Sequence, residues 1–331
     1  MFYSIMLRLV IAISVYLVSI LSQSSYKHNN HKHLSQQHSK FSKLGAVIYL
    51  VNPNKDFLDA RPGRHCGLNN SLTMLDGKWL KHYPYSVILM NTRPWSTNEI
   101  KLVRRYWDNL DIRFINIKPY FNIHSKSEVF EDSNKPLSDI NYKRMCAFFF
   151  AGFLKVPLLQ EYRYLMRLDD DTCILDHINF DLFHEMAVGN VCYAFQAIFC
   201  DPDFVVKGLR EYVSNYTEST GLTVANPPLY ELISNRGQIC YDSFSTNLEV
   251  IDTWRYRQAD IDHFLQNITD SNLIFHRRWG DAPLRMVIAQ LFWGPDEVMR
   301  LCEFDYQHSD WEATDMCETR HTKDAVISMV T

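Results

Sequence analysis

The sequence predicts an α/β fold around a mostly parallel central sheet flanked by helices, and three observations carry that expectation. Ala46-Val47-Ile48-Tyr49-Leu50-Val51 is a continuous, β-branched apolar run of the kind that forms a strand buried on both faces. Ser86-Val87-Ile88-Leu89-Met90 and Ile112-Arg113-Phe114-Ile115-Asn116-Ile117 repeat the pattern. Helix-like stretches at Leu72 to His82 and Thr97 to Asp108 lie between them, and strand alternating with helix implies parallel pairing. With 331 residues, 47% hydrophobic and 14% aromatic, the chain can bury one large core or two small ones.

In chain order, Phe2 to Leu21 comes first, almost wholly apolar with Arg8 as its only charge. Such a segment directs entry to the secretory path. Counted from Phe2 it is long enough to span a bilayer, and counted from Leu9 it suits a cleaved signal peptide, so residues 1–22 are read as signal-anchor or signal peptide. The positive charges do not set an orientation, since Arg8 precedes the apolar core while Lys27 and Lys32 follow it. Residues 23–44, rich in Ser, Asn, Gln, Lys and His, cannot bury enough surface to fold alone and are read as a flexible stem. Its histidines, His28, His31, His33 and His38, lack Cys partners and helical spacing, so the plain linker outweighs a metal tract.

Residues 45–331 are expected to form a single catalytic domain. Three sequons, at Asn69, Asn215 and Asn267, are accessible to glycosylation only if this body enters the lumen. Eight cysteines without a C-x-x-C pair suit scattered disulfides, some buried thiols included, better than a zinc or redox site, and spacing does not give their pairing. The net charge of -4, with no basic stripe interleaved with aromatics, speaks against nucleic acid as a partner.

A helical stretch from Tyr142 to Phe153 leads into a strand at Tyr162 to Leu168, and that strand ends in Asp169-Asp170-Asp171 followed by Thr172-Cys173. Consecutive like charges at a strand's carboxyl end repel one another, which points to a cation held against them. Open α/β sheets bind ligands at that edge. A divalent ion bridging protein carboxylates and a diphosphate is the chemistry of a nucleotide-sugar transferase. Along an extended segment Asp169 and Asp171 share a face while Asp170 points elsewhere, toward the donor's ribose or sugar. The plainer alternative makes Asp171 a helix N-cap. No G-x-G-x-x-G and no P-loop motif is present, so a dinucleotide fold and a P-loop kinase lack support. Farther on, Asp281 reads as an N-cap for a helix at Leu284 to Leu291, and Arg278 either neutralises phosphate or pairs with an acid.

Four stretches in order then resemble the fungal Golgi α-1,2-mannosyltransferases, glycosyltransferase family 15: Tyr142-Lys143-Arg144-Met145-Cys146; Pro157 to Tyr162 running into Arg167-Leu168-Asp169-Asp170-Asp171; Thr246-Asn247-Leu248-Glu249-Val250; and Arg278-Trp279-Gly280-Asp281-Ala282-Pro283. The resemblance runs from about residue 45 to His308, and the last stretch is its most distinctive piece. It implies a GT-A glycosyltransferase fold and transfer of mannose from GDP-mannose to a glycan or glycoprotein acceptor, with Mn²⁺ and retention of configuration. It also implies a single-pass type II protein of the Golgi membrane with a lumenal catalytic domain; a cleaved N-terminal segment makes the protein secreted or ER-lumenal instead. By the same resemblance Asp169, Asp171 and His308 hold the metal, a set suited to Mn²⁺ because that ion accepts carboxylate oxygen and imidazole nitrogen. Glu249 falls where the family places a glutamate near the anomeric carbon, as nucleophile or as stabiliser of an oxocarbenium-like transition state. Tyr142, Asp170, Asn247, Arg278 and Asp281 are the donor-binding candidates.

One departure is plain: the family usually reads Glu-Pro-Asp or Glu-Pro-Gly where this chain has the Asp triplet, and the region after Cys317 is short where the family carries acceptor-side elements. Two other classes compete with the transferase. A catalytically inactive lumenal protein that binds glycans or nucleotide sugars is compatible with the altered triplet. A metal-dependent phosphohydrolase of the haloacid dehalogenase type wants Thr or Val where Cys173 stands.

Overall fold

A computed structural model of the chain describes residues 41–51, 58–59, 66–121, 137–202, 204–227, 229, 240–277, 279–308 and 311–312. The apolar segment Phe2 to Leu21, nearly all of the stem with its four histidines, Arg278 and Cys317 lie outside them. Nearly all of the described residues belong to one unit, Leu44–Thr331. Among the described residues no helix is long and apolar enough to cross a membrane.

The seven-stranded central sheet runs β10 (Val298–Arg300), β6 (Tyr193–Phe195), β9 (Leu248–Asp252), β4 (Tyr162–Asp169), β1 (Lys43–Leu50), β2 (Ser86–Asn91), β3 (Ile112–Asn116). β1, β2 and β3 pair in parallel, as do β10 and β6, while β9 is inserted antiparallel between β4 and β6. The continuous apolar run of β1 has a direct cause: Ala46 and Ile48 pack into the core on one face, and Val47, Tyr49 and Val51 into the core on the other. The first core also takes the helix Asp281–Phe292, whose side chains are nearly all buried, and the second takes the helix Leu68–Leu75 and the π-helical turn Asp76–Leu80. The helix Thr97–Tyr106 starts from a capping box in which Ser96 and Glu99 satisfy each other's backbone N–H, with Arg93 paired to Glu99.

A second, three-stranded sheet orders β12 (Trp311–Glu312), β11 (Tyr306–His308) and β5 (Thr172–Ile174), all antiparallel. β7 (Ile198–Pro202) and β8 (Cys240–Phe244) form a separate hairpin. The register of β11 on β5 sets His308 opposite Thr172, the residue that follows the Asp triplet.

Several expectations shift at this resolution of detail. Strand β4 stops at Asp169, and Asp170-Asp171 form the turn into β5, so the triplet is not one extended segment and side-chain alternation does not govern it. Because a strand follows Asp171, it caps no helix. Gly280, with extended backbone, is the N-cap of Asp281–Phe292, and Asp281 is the first helical residue. The helix expected from Tyr142 spans Leu137–Phe150. Cys66 and Cys173 form a disulfide that ties the start of the helix Leu68–Leu75 to β5, Cys200 is also disulfide-bonded, and Cys146 and Cys192 are buried thiols.

Candidate metal and donor site

The end of β4 is held from three sides. The backbone N–H of Asp169 donates to the Asn247 carbonyl at 3.0 Å, and the Thr172 hydroxyl donates to the same carbonyl at 3.3 Å. The Asn247 side-chain oxygen in turn accepts from Ser245 at 2.7 Å and from the Tyr306 hydroxyl at 2.9 Å. Ser71 donates to the Thr172 carbonyl, and one residue on, the disulfide fixes Cys173. A turn carrying consecutive carboxylates is thereby pinned by neutral hydrogen bonds instead of splaying apart.

On this frame Asp169, Asp171 and His308 converge, each offering one ligand atom, all within 4.8 Å of one another. His308 Nε2 lies 3.2 Å from Asp171 Oδ1 and 3.9 Å from Asp169 Oδ2. Two hard carboxylate oxygens and one imidazole nitrogen form a donor set that suits Mn²⁺. The Asp169 and His308 side chains remain 30% and 27% accessible, so a ligand can reach an ion placed there. Asp170 is buried in the turn and is not among the three.

Behind Asp169 stands Arg167, which a reading of the motifs alone passed over. Its Nε and Nη2 both donate to Asp169 Oδ1, at 3.1 and 3.0 Å. Its Nη1 pairs with Asp281 Oδ2 at 2.5 Å and lies 3.7 Å from Glu249 Oε1, while its guanidinium stacks 3.7 Å from the centre of the Phe149 ring. Burial alone would lower the basicity of Arg167, but Asp169, Asp281 and Glu249 outweigh it and push the guanidinium up. Burial works against ionisation of Asp281 too, yet Arg167 and Arg285 hold its carboxyl below the usual carboxylate range. Asp281 also accepts from the Thr246 hydroxyl at 3.1 Å and from the Cys146 thiol, whose own ionisation is pushed well up by burial and by Asp281. Tyr142, 42% exposed, stands over the preceding turn: a Cβ built on Gly280 would lie 3.8 Å from its hydroxyl.

Glu249 occupies a different position from the open site. Opposite Arg167 on β4 and Phe195 on β6, it is completely buried. Arg285 Nε and Nη2 donate to its two oxygens at 2.8 and 3.1 Å, and the Tyr193 hydroxyl donates at 3.0 Å. Arg285 completes its donors on the Tyr256 hydroxyl and the Phe149 carbonyl. Three carboxylates, Asp169, Glu249 and Asp281, face the two guanidiniums Arg167 and Arg285, so negative charge is in excess even before Asp171 is counted.

The structure thus brings together Asp169, Asp171 and His308, joins Asp281 and Glu249 to them through Arg167, uses Asn247 as the clamp on the turn, and sets the exposed Tyr142 beside Gly280, next to Asp281. Arg285, Tyr193 and Cys146 complete the interior. The sequence signal for the two arginines is that each is a charge set among apolar residues, Arg167 in β4, where Arg163 is the other buried arginine, and Arg285 in the helix Asp281–Phe292, where the first residue Asp281 is the other charge.

Comparison with known proteins agrees with this geometry. The sequence model of the family described as glycolipid 2-alpha-mannosyltransferase matches residues 19–325. The chain is 24% identical over 257 residues to the probable mannosyltransferase KTR3 of Saccharomyces cerevisiae, covering 74% of this chain and 63% of that protein. It is 22% identical over 259 residues to the glycolipid 2-alpha-mannosyltransferase of the same yeast, covering 74% and 58%. The chain therefore spans somewhat under two thirds of the length of these relatives. In three dimensions it resembles the Mn/GDP form of core-mannan synthase A (CmsA/Ktr4) from Aspergillus fumigatus, with TM-score 0.65, 19% identity, and coverage of 82% of this chain and 76% of that one. It also resembles the mannosyltransferase Ktr4p of S. cerevisiae in complex with GDP, with TM-score 0.66, 19% identity, and coverage of 82% and 72%. The fold is that of the GT-A glycosyltransferases, and the chain belongs to the glycolipid 2-alpha-mannosyltransferase family, glycosyltransferase family 15.

Proposed function

We propose that the protein is a Mn²⁺-dependent retaining α-1,2-mannosyltransferase that moves mannose from GDP-mannose to a glycan or glycoprotein acceptor. The observation that carries this reading is the convergence of Asp169, Asp171 and His308 at the carboxyl end of β4 in a member of this family. Support also comes from the related structures, one in a Mn/GDP form and one in complex with GDP.

A divalent ion at these ligands supplies positive charge to the diphosphate, both on binding and as it departs. The chain's own residues do the rest. Asp169 and Asp171 present fixed oxygens from a turn that cannot splay. Tyr142 and Asp281 line the approach to the donor's sugar, and Arg278, in the same motif, is a further donor ligand. Asp170 and Asn247 stay in the donor set as neighbours of the metal turn.

Glu249 lies one guanidinium behind the site, and a carboxylate there stabilises positive charge as the leaving group departs. Its complete burial and its two-point hold by Arg285 favour this electrostatic role over direct attack. The working location is the lumen of the secretory path, with the N-terminal segment as a Golgi type II anchor or, if cleaved, with release into the lumen.

The test is hydrolysis of a panel of nucleotide sugars by the purified protein with and without Mn²⁺, since donor hydrolysis needs no acceptor. The reading predicts Mn²⁺-dependent release of mannose from GDP-mannose above the other donors. Preference for another donor would overturn the substrate. GDP binding without hydrolysis of any donor would identify an inactive binding protein.

A further inference from the structure

We propose that Arg167 is the positioning residue that makes Asp169 a one-oxygen metal ligand. The inference rests on the reading of Asp169, Asp171 and His308 as a divalent-cation site and goes beyond it in assigning how that site is oriented. A carboxylate at the end of a strand can meet a cation with either oxygen or with both. Here Arg167 settles the choice: Nε and Nη2 both engage Oδ1, at 3.1 and 3.0 Å, so Oδ2 is the oxygen turned toward His308 Nε2, 3.9 Å away.

Arg167 cannot itself swing. Its third nitrogen is held by Asp281 Oδ2, its flat face lies on Phe149, and its side chain is 2% exposed. Three constraints on one planar group fix the rotation of the Asp169 carboxyl, as groups that bind metal ligands from behind commonly do.

A cation placed next to a cation site would ordinarily weaken it. That repulsion is offset here because Asp281 and, 3.7 Å away, Glu249 face the same guanidinium, so Arg167 orients Asp169 without adding net positive charge to the network. Lysine cannot replace it, since one ammonium does not present a flat fork to two carboxylates and an aromatic ring at once.

The experiment titrates Mn²⁺ into the full chain in the presence of saturating GDP, by calorimetry and by Mn²⁺ electron paramagnetic resonance, for the parent, Arg167→Lys and Arg163→Lys. Arg163 is the internal control. It lies on the same strand in an equally buried pair with Asp252, Nε and Nη2 to Oδ2 at 3.0 and 2.9 Å, four residues from Arg167 and so roughly 13 Å along β4. Arg167→Lys is expected to weaken Mn²⁺ about 10- to 100-fold, and Arg163→Lys to leave it at the parent value. Phe149→Leu removes the ring under the guanidinium while keeping every charge, and is expected to weaken Mn²⁺ about two- to fivefold, which keeps the question answerable if Arg167→Lys does not fold.

Parent-like or tighter Mn²⁺ binding by Arg167→Lys overturns the proposal, and so does an equal loss in Arg163→Lys. If Arg167→Lys cannot be purified folded, unchanged affinity in Phe149→Leu overturns it. A parent protein that binds no Mn²⁺ with GDP present overturns the underlying metal reading instead, and that result is separate because it appears before any variant is made.

Discussion

Replacing Glu249 by glutamine separates two roles that the motif alone merges. The side chain is completely buried, with both oxygens receiving hydrogen bonds from Arg285 and one also from Tyr193. Glutamine keeps the shape and one acceptor oxygen, but Arg285 donates to both carboxylate oxygens, so in either orientation its NH₂ must face a guanidinium N–H, donor against donor. It also leaves Arg285 charged in the interior with no carboxylate bound to it. Breaking a buried pair by removing one partner costs about 3–5 kcal/mol. For a domain of this size that lowers the melting temperature by on the order of 10 °C. The charge beside Arg167 is lost as well, so turnover is expected to fall by a factor on the order of hundreds, while affinity for GDP-mannose changes little because the metal ligands are untouched. Thermal unfolding, donor hydrolysis below the melting range and GDP-mannose calorimetry read the three quantities separately. A variant that melts with the parent would refute the buried-pair geometry. Near-parent turnover, or a loss of donor affinity as severe as that of Asp169→Ala, would refute the charge role.

Asp169→Ala and Asp171→Ala are expected to abolish Mn²⁺-dependent donor binding, while Asp170→Ala retains part of it, because Asp170 is not among the converging ligands; equal loss for all three in calorimetry would contradict this. Replacing Cys66 and Cys173 together by serine removes a crosslink between residues 107 apart in sequence, expected to cost about 2–5 kcal/mol in thermal unfolding and to weaken Mn²⁺ through the turn two residues before Cys173. An unaltered melting temperature would contradict it. Hydrogen bonds from Arg93 hold the Glu99 carboxyl down at about 2, below its unfolded value of roughly 4.3, so its contribution is fully present above that unfolded value and is lost as pH falls through 2. Melting curves of Glu99→Gln and parent should therefore converge between about pH 4.3 and 2; a constant difference across that range would show that the ionised form is not what stabilises the helix start.

How far the sequence reveals this molecule depends on which force shapes each element. β1 and β2 are legible because burial on both faces demands a nearly unbroken apolar run, and β4 because apolar residues still dominate it around its two buried arginines, Arg163 and Arg167. β6, β10 and β11 have three residues each and are made by pairing with strands far away in sequence, so no local pattern marks them. The Asp triplet is legible as a candidate cation site because repulsion between neighbouring carboxylates needs a cause. The reason Asp169 and Asp171 come together is not: the strand ends between them, and a two-residue turn, not strand alternation, aims Asp171 at His308. His308 carries no signal of its own and is found only through the family's pattern. Arg167 and Arg285 escape motif reading because their partners, Asp281 and Glu249, lie 114 and 36 residues away. Glu249 is singled out by its motif, but its place inside β9 and the depth of its burial follow from pairing with β4 and β6 and from the helix that brings Arg285 over it.

The account turns on one ion, and its position can be seen directly. Crystals grown with Mn²⁺ and GDP, with data collected at a wavelength where manganese scatters anomalously, should show one peak about 2–2.5 Å from Asp169 Oδ2, an Asp171 oxygen and His308 Nε2, with Asp169 Oδ1 still on Arg167. Bound GDP with no anomalous peak among these three side chains, or with the peak held by other residues, would contradict it.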